Sequence, residues 1–320
     1  WIYSPGTQRL RQLYEMGVIN TFDAPATLSH QMEAVLKKQE GLLAVRLFDK
    51  DPGVQAESCT AEFYVNEILE GAAIIADTIH ASSVVFLYGA NNWFVPQDTD
   101  IKLLFKSTPV HFIPVQTTEY PHGGLSEITS KIQKYFQKNL KKKTSTVMLA
   151  VDGSTSLACY NAIVKNYPYI EKIIHVCGDG IKKAGMYKVR LGTPLRNILQ
   201  ECGGFSCEPA KIVINGVIKG IAVSDLNTPV TKYVNSITVL SAKDFPDQRQ
   251  TPCIRCGRCH EICPVSIQPE KIYFHYFSDT SIPDYMLQTT ERCTECALCN
   301  AVCPSRLPLY QTIKLVQGKK

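Results

Sequence analysis

The sequence contains no apolar run of about 18 residues, the length at which a membrane-spanning helix is read, so it offers no transmembrane segment. It has little charge excess. Its 34 Lys+Arg against 29 Asp+Glu leave a formal net charge of +5, too small to argue for a nucleic-acid partner. It shows no signal peptide at its start, and it opens on Trp1 rather than Met, so localisation is not read from that end. What remains is ordinary: 320 residues, 45% hydrophobic and 20% charged, the make-up of a soluble chain of two to three domains.

One residue type is not ordinary. The chain has 13 cysteines, and eight of them fall in two runs, 253–264 (C-I-R-C-G-R-C-H-E-I-C-P) and 293–304 (C-T-E-C-A-L-C-N-A-V-C-P). Both runs read C-x2-C-x2-C-x3-C-P, the bacterial ferredoxin spacing, in which three thiolates hold one 4Fe–4S cluster and the fourth ligates the other. On that rule Cys253, Cys256, Cys259 and Cys303 hold the first cluster, and Cys293, Cys296, Cys299 and Cys263 hold the second. Gly257 and Ala297 keep the loop walls low so that backbone N–H groups reach the sulfurs. Zinc sites pair separated C-x2-C units without a third cysteine at this spacing, and disulfide scaffolds belong to short secreted chains. Thiolates committed to iron imply a reducing compartment, so the chain is expected in the cytoplasm. Of the other five cysteines, Cys177, in V-C-G-D-G at an expected strand end, is the one to examine for redox chemistry.

Periodicity gives the rest. Helices are expected near 7–17, 29–39, 61–80, 127–140 and 153–164, with buried strands at 42–48, 83–88, 110–115, 146–151 and 172–176. That alternation argues for a mostly parallel sheet covered by helices. From Tyr187 the pattern becomes strand, helix, then several short strands, as in a β-grasp module. After a polar linker at 244–252, helices near 269–277, 283–290 and 309–316 surround the cysteine runs. The fold class is therefore an α/β Rossmann-like domain (1–184), a β-grasp α+β domain (185–243) and a helical two-cluster ferredoxin-like domain (244–320). A basic run, Lys138 and Lys141–Lys143, suits a helix C-terminus and, alternatively, an acidic ferredoxin.

The order of these parts resembles the C-subunit of the Rnf electron-transport complex and, more distantly, the flavin-bearing subunit of respiratory complex I. The residues that carry it are Y-P-H-G-G at 120–124, G-D-G at 178–180, L-G-T-P-L-R at 191–196, C-G-G-F at 202–205 and the two cysteine runs. The resemblance implies a flavin domain, a soluble-ligand-binding β-grasp (SLBB) domain and a two-cluster domain. Three departures oppose the flavin. The family's Gly-rich phosphate loop is here G-V-I-N-T-F-D-A-P-A (17–26), with Asp23 where bare backbone should meet phosphate. The family's N-G-A-E-C-E-P becomes R-L-F-D-K-D-P-G (46–53), and I-E-D-N-K becomes Y-G-A-N-N (88–92). FMN and the NADH site are therefore expected to be absent, and a chain with clusters but no NADH site suits a carrier similar to the family's proline-reductase-associated relative.

The expected function is a relay of single electrons through two 4Fe–4S clusters. The donor would be a ferredoxin, flavoprotein or Rnf-type complex, and the acceptor a partner reductase such as proline reductase, in a stable assembly that can lie against a membrane complex. No catalytic residue is assigned. The alternative is an NADH-oxidising FMN and iron–sulfur subunit of an Rnf-type complex.

Overall fold

The computed structural model describes residues 1–37, 41–90, 98–140, 147–243, 249–278 and 282–318. The first unit runs through α1 (Gly6–Glu15), β1 (Ile19–Asn20), β2 (Ala26–Thr27), α2 (Leu28–Leu36), β3 (Leu42–Arg46), α3 (Ala56–Phe63), α4 (Val65–Thr78), β4 (Ser83–Gly89), α5 (Asp98–Phe105), β5 (Val110–Val115), α6 (Leu125–Leu140), β6 (Val147–Asp152) and α7 (Gly153–Ile163). Its sheet has the order β5-β4-β3-β6, and every pairing is parallel. Alternation along β3 feeds two cores. Leu43 and Val45 pack with the apolar faces of α1, α2, α4 and α7, whereas Leu42 and Ala44 pack with Ile128, Ile132 and Phe136 of α6. Both faces of the sheet are thus covered, which is why its strands read as continuous apolar runs. Helices α4 and α7 cross closely because Gly71 has no side chain: a Cβ there would collide with the Ser156 carbonyl. The single helix expected over 61–80 is two, broken at Tyr64 (φ −124, ψ 34).

The second unit holds β7 (Glu171–Cys177), β8 (Gly185–Arg190), α8 (Leu195–Glu201), β9 (Pro209–Ile214), β10 (Ile221–Ala222) and β11 (Ser236–Ser241). The sheet order is β10-β9-β11-β7-β8, with β7 and β11 parallel and the other pairs antiparallel. The expected boundary at 184/185 therefore cuts a β7–β8 hairpin. β7 belongs to the second sheet, because its other partner, β11, lies some 60 residues further on and no local pattern announces it.

The helices α9 (Arg258–Glu261), α10 (Pro269–Phe277), α11 (Asp284–Thr290), α12 (Leu298–Ala301) and α13 (Leu309–Gln317) complete the chain. This module repeats itself at an offset of 40 residues. α9 and α10 recur as α12 and α13, and the left-handed residues Arg255, Gly257 and Ser266 recur as Glu295, Ala297 and Arg306. Ile267, Ile272, Met286, Ile313 and Val316 form its small core.

Candidate metal centres and the adjoining cavity

Gly257 and Ala297 open α9 and α12 in the left-handed conformation (φ 79 and φ 58). Each bends its run so that three cysteines lie on one loop. In the first run Cys253, Cys256 and Cys259 line a small cavity together with Cys303, which comes from the end of the second run. Ile254, Glu270, Leu307 and Leu309 complete the wall. The Arg255 N–H donates to Cys253 Sγ at 3.4 Å, and the Cys259 thiol donates to Glu270 Oε2 at 3.2 Å. Burial, with the Glu270 hydrogen bond, pushes the Cys259 thiol up to about 12. Such a thiol keeps its proton until a metal displaces it.

The remaining four sequence-predicted cysteines gather at the other end of the repeat. Cys263 and Cys293 pack against the core made by α10, α11 and α13. The Ile267 N–H donates to Cys263 Sγ at 3.3 Å. Burial, reinforced by the nearby Cys296 and Cys293 thiols and by Cys263, raises Cys299 to about 12. Among the described residues no three His, Cys, Asp or Glu side chains converge on a single ion. A cubane, with four metal atoms, asks its thiolates to stand wider apart than one ion does. Cys177 lies outside this region. Burial raises its thiol, a shift that the hydrogen bond with Thr238 Oγ1 at 3.4 Å offsets only in part, which is the opposite of an activated cysteine.

Cys293 and Cys296 also face a cavity of about 700 Å³ that all three units enclose. The first unit contributes Asp23, Lys50, Asp51 and residues 120–127, the loop that leads into α6 together with its first turn; the second contributes Asn215, Lys219 and Tyr233; α13 contributes Tyr310 and Lys314. The Tyr120 hydroxyl donates to the Cys296 carbonyl at 2.6 Å, tying the first unit to the second cysteine loop. Gly123 must be glycine here, since a Cβ would lie 2.8 Å from Lys50 Cβ. Burial, then the Arg46 and Lys219 charges, lower Lys50 to about 8, and burial raises Asp51.

Sequence reasoning missed the buried polar network beside this cavity. In an open parallel sheet, ligands bind outside the carboxyl ends of the strands where the strand order reverses, here between β3 and β6. Those ends carry Arg46 and Asp152, 1% and 0% exposed. Asp152 accepts from the Thr21 hydroxyl (2.7 Å), the Thr155 N–H (2.7 Å) and the Thr155 hydroxyl (2.6 Å). Arg46 donates to the Gly123 carbonyl at 2.7 Å and to the Phe22 carbonyl at 3.3 Å, with its guanidinium 4.2 Å above the Phe22 ring. Burial alone would raise Asp152, but the Arg46 and Lys172 charges and the two threonines outweigh it and hold it below the usual carboxylate range. Glu57 accepts from the Ser154 N–H and hydroxyl at 3.0 and 2.6 Å. Burial, then the Asp152 charge, push it up to about 7.

The stretch at 17–26, which stands in the place of the family's phosphate loop without its motif, holds a β1–β2 hairpin. It is tied to the second unit by Lys232 Nζ donating to the Gly17 carbonyl at 2.5 Å and the Tyr233 hydroxyl donating to the Asp23 carbonyl at 2.9 Å. Of the other motifs noted, Asn91, Asn92 and Lys141–Lys143 lie outside the described residues.

A parallel α/β unit, a β-grasp sheet and a helical module that gathers eight cysteines define an iron–sulfur protein of the electron-transfer class. Comparison with known proteins agrees. Residues 252–307 match the 4Fe-4S dicluster domain family, and residues 173–220 match the SLBB domain family. The C-subunit of the ion-translocating oxidoreductase complex of Pasteurella multocida (strain Pm70) is 27% identical over 267 residues, covering 83% of this chain and 32% of that protein. Its counterpart in Rhodobacter capsulatus is 29% identical over 209 residues, covering 63% of this chain and 39% of that protein. The chain thus spans about a third of the length of these curated relatives. In fold it is similar to a chain of an NAD+-reducing [NiFe]-hydrogenase in its H2-reduced state, with TM-score 0.60 and 10% identity, covering 96% of this chain and 59% of that one. The chain is thus similar over most of its length to C-subunits of ion-translocating oxidoreductase complexes, and it carries SLBB and 4Fe-4S dicluster segments.

Proposed function

We propose that the chain relays single electrons between a reduced donor and a partner reductase through two 4Fe–4S clusters, one held by Cys253, Cys256, Cys259 and Cys303 and the other by Cys293, Cys296, Cys299 and Cys263. The observation that carries this reading is the small cavity lined by three cysteines of the first run and the last cysteine of the second. Such clusters, when bound, take up and release one electron each, at potentials anywhere over roughly −700 to +450 mV. The chain's own residues hold them, shield them and set their surroundings. The Arg255 and Ile267 N–H groups point at ligand sulfurs and favour the thiolate. Burial of Cys259 and partial burial of Cys299 limit the access of water to one side of each centre. The donor, a ferredoxin, flavoprotein or Rnf-type complex, and the acceptor, a reductase such as proline reductase, would sit in a stable complex with it.

The fold family implies FMN, and the residues at the switch point do not suit it. Asp152 stands where a phosphate would need bare N–H groups, and its oxygens already take up the Thr155 N–H. Arg46 and Phe22 fill the crevice that an isoalloxazine would need. The reading is therefore a relay without flavin.

One observation favours a second reading, an FMN-bearing NADH-oxidising subunit. The cavity of about 700 Å³ is large enough for a cofactor, and Lys50, Lys219 and Lys314 line it. Iron, acid-labile sulfide and heat-released flavin, assayed on one anaerobic sample, decide between them. About eight irons per chain, as two cubanes require, without flavin, is the expected result. An equivalent of FMN would establish the second reading, and stoichiometric zinc would overturn both.

A further inference from the structure

The two cysteine loops share a backbone and differ in what they present. In the second loop Thr294 and Glu295 look into the large cavity, and Glu295 accepts from Lys314 Nζ at 2.9 Å. In the first loop the equivalent residues, Ile254 and Arg255, edge the small cysteine cavity and are both exposed to solvent. Ile254 is 67% exposed, and Cys256 is the exposed member of its set. Helix α10 continues this outward face. Glu270, Tyr273, Phe274 and Phe277 share one stripe at i, i+3, i+4 and i+7. Glu270 reaches the wall of the first cavity, and Tyr273 packs beside Cys253 and Cys303. Phe277 lies against Tyr273 at 4.7 Å yet is 58% exposed, and Phe274 is 40% exposed. Among the described residues 249–278, which carry this patch, the exposed Lys and Arg side chains are Arg249, Arg255, Arg258 and Lys271, against one exposed carboxylate, Glu261. An apolar centre with a charged rim is the anatomy of a protein interface.

We infer that the face formed by Ile254, Tyr273, Phe274 and Phe277, ringed by Arg249, Arg255, Arg258 and Lys271, docks a small acidic one-electron carrier protein directly over the first cysteine centre. The inference rests on the reading that these cysteines hold a cluster. The rim selects a partner with carboxylates around its own redox group. The cavity behind the face is too small for a free ligand, so the exchange is between proteins. A single electron passes: the centre held by Cys253, Cys256, Cys259 and Cys303 loses one electron as the partner's iron–sulfur group gains one, or the reverse under opposite driving force, with no bond or proton moved.

The test is equilibrium binding of a small acidic ferredoxin to the iron-loaded chain at low and high salt. The double variant Arg255→Glu/Arg258→Glu changes the rim. Glutamate is tolerated at the first position, because Glu295 occupies the same left-handed conformation in the other loop (φ 55 against φ 56). The expected result is a Kd raised about 10-fold or more at low salt, with the salt dependence flattened. Lys102→Glu/Lys134→Glu, at exposed positions of α5 and α6, should leave the Kd unchanged. An unchanged Kd in the first variant with iron retained, or an equal loss in the second, overturns the inference. If the first variant loses iron, Phe277→Ala decides by the same criterion, with an expected weakening of about 5-fold. A parent chain that takes up no iron would instead refute the reading of the cysteine centres.

Discussion

Asp152 is the most consequential single side chain outside the cysteines, and its removal has a calculable effect. Asp152→Ala deletes the N-cap of α7, worth about 1 kcal/mol. It strands the Thr21 hydroxyl and the Thr155 N–H in a fully buried site. It also leaves the buried Arg46 guanidinium without the carboxylate that offsets its charge. Removing one partner of a buried charge pair costs about 3–5 kcal/mol, a figure that already contains most of the stranded groups. The expected loss is therefore about 4 kcal/mol in the urea transition of the first unit, followed by far-UV circular dichroism. Asp152→Asn keeps the cap and the shape but not the charge, so about half of that loss is expected. In the Arg46→Met background the cost of Asp152→Ala should shrink by at least about 1 kcal/mol, because the stranded cation is gone. A loss below about 1 kcal/mol in Asp152→Ala, or strict additivity with Arg46→Met, would refute the account of this network as a mutually dependent plug.

Cys303→Ser, although in the second run, should abolish the electron paramagnetic signal of the centre built on Cys253, Cys256 and Cys259 and leave the other. Loss of the other signal instead would reverse the pairing. Glu57 titrates near pH 7 in the fold against 4.5 as its ordinary value, raised by burial. The folded state therefore binds its proton more tightly, and this group's contribution to stability is greatest below pH 4.5 and is lost as pH rises towards 7. Urea transitions of Glu57→Gln should accordingly show the variant gaining on the parent as pH rises from 4.5 to 7; a constant difference would disprove the assignment. Tyr120→Phe removes the bond to the Cys296 carbonyl and should cost about 1 kcal/mol while shifting the potential of the centre that Cys296 serves more than that of the other, as read by redox titration.

The elements were legible because each carries a strong local period. The apolar residues of β3 and β4, the 3.6-residue stripe of α6 and the cysteine spacing each sit within one short window. Features assembled from distant windows were not legible. The network at the switch point joins Thr21, Arg46, Glu57 and Asp152, which have no fixed spacing, and their burial arises only when β3 and β6 pair. The β7 assignment failed because that strand continues the α/β alternation while its partners, β8 and β11, lie after the pattern changes. The helix break at Tyr64 is invisible to periodicity, since α3 and α4 both turn apolar residues towards α7. The degenerate phosphate loop was readable as a missing motif. Its replacement by a hairpin latched to Lys232 and Tyr233 was not.

The cavity shared by Cys253, Cys256, Cys259 and Cys303 also sets a clock on synthesis. Its first three walls leave the ribosome well before the fourth exists. The intervening stretch takes on the order of seconds to add at typical elongation rates of about 5–20 residues per second. During that interval the nascent chain exposes three clustered thiols around an open site that cannot close. Loading of the first centre must wait for Cys303, so a chain truncated just before it loses its hold on the earlier loop although the four cysteines of the other centre are already in place. Oxidants and stray metals have their best access in that same window, which makes the order of translation, rather than the finished fold, the vulnerable point of the module.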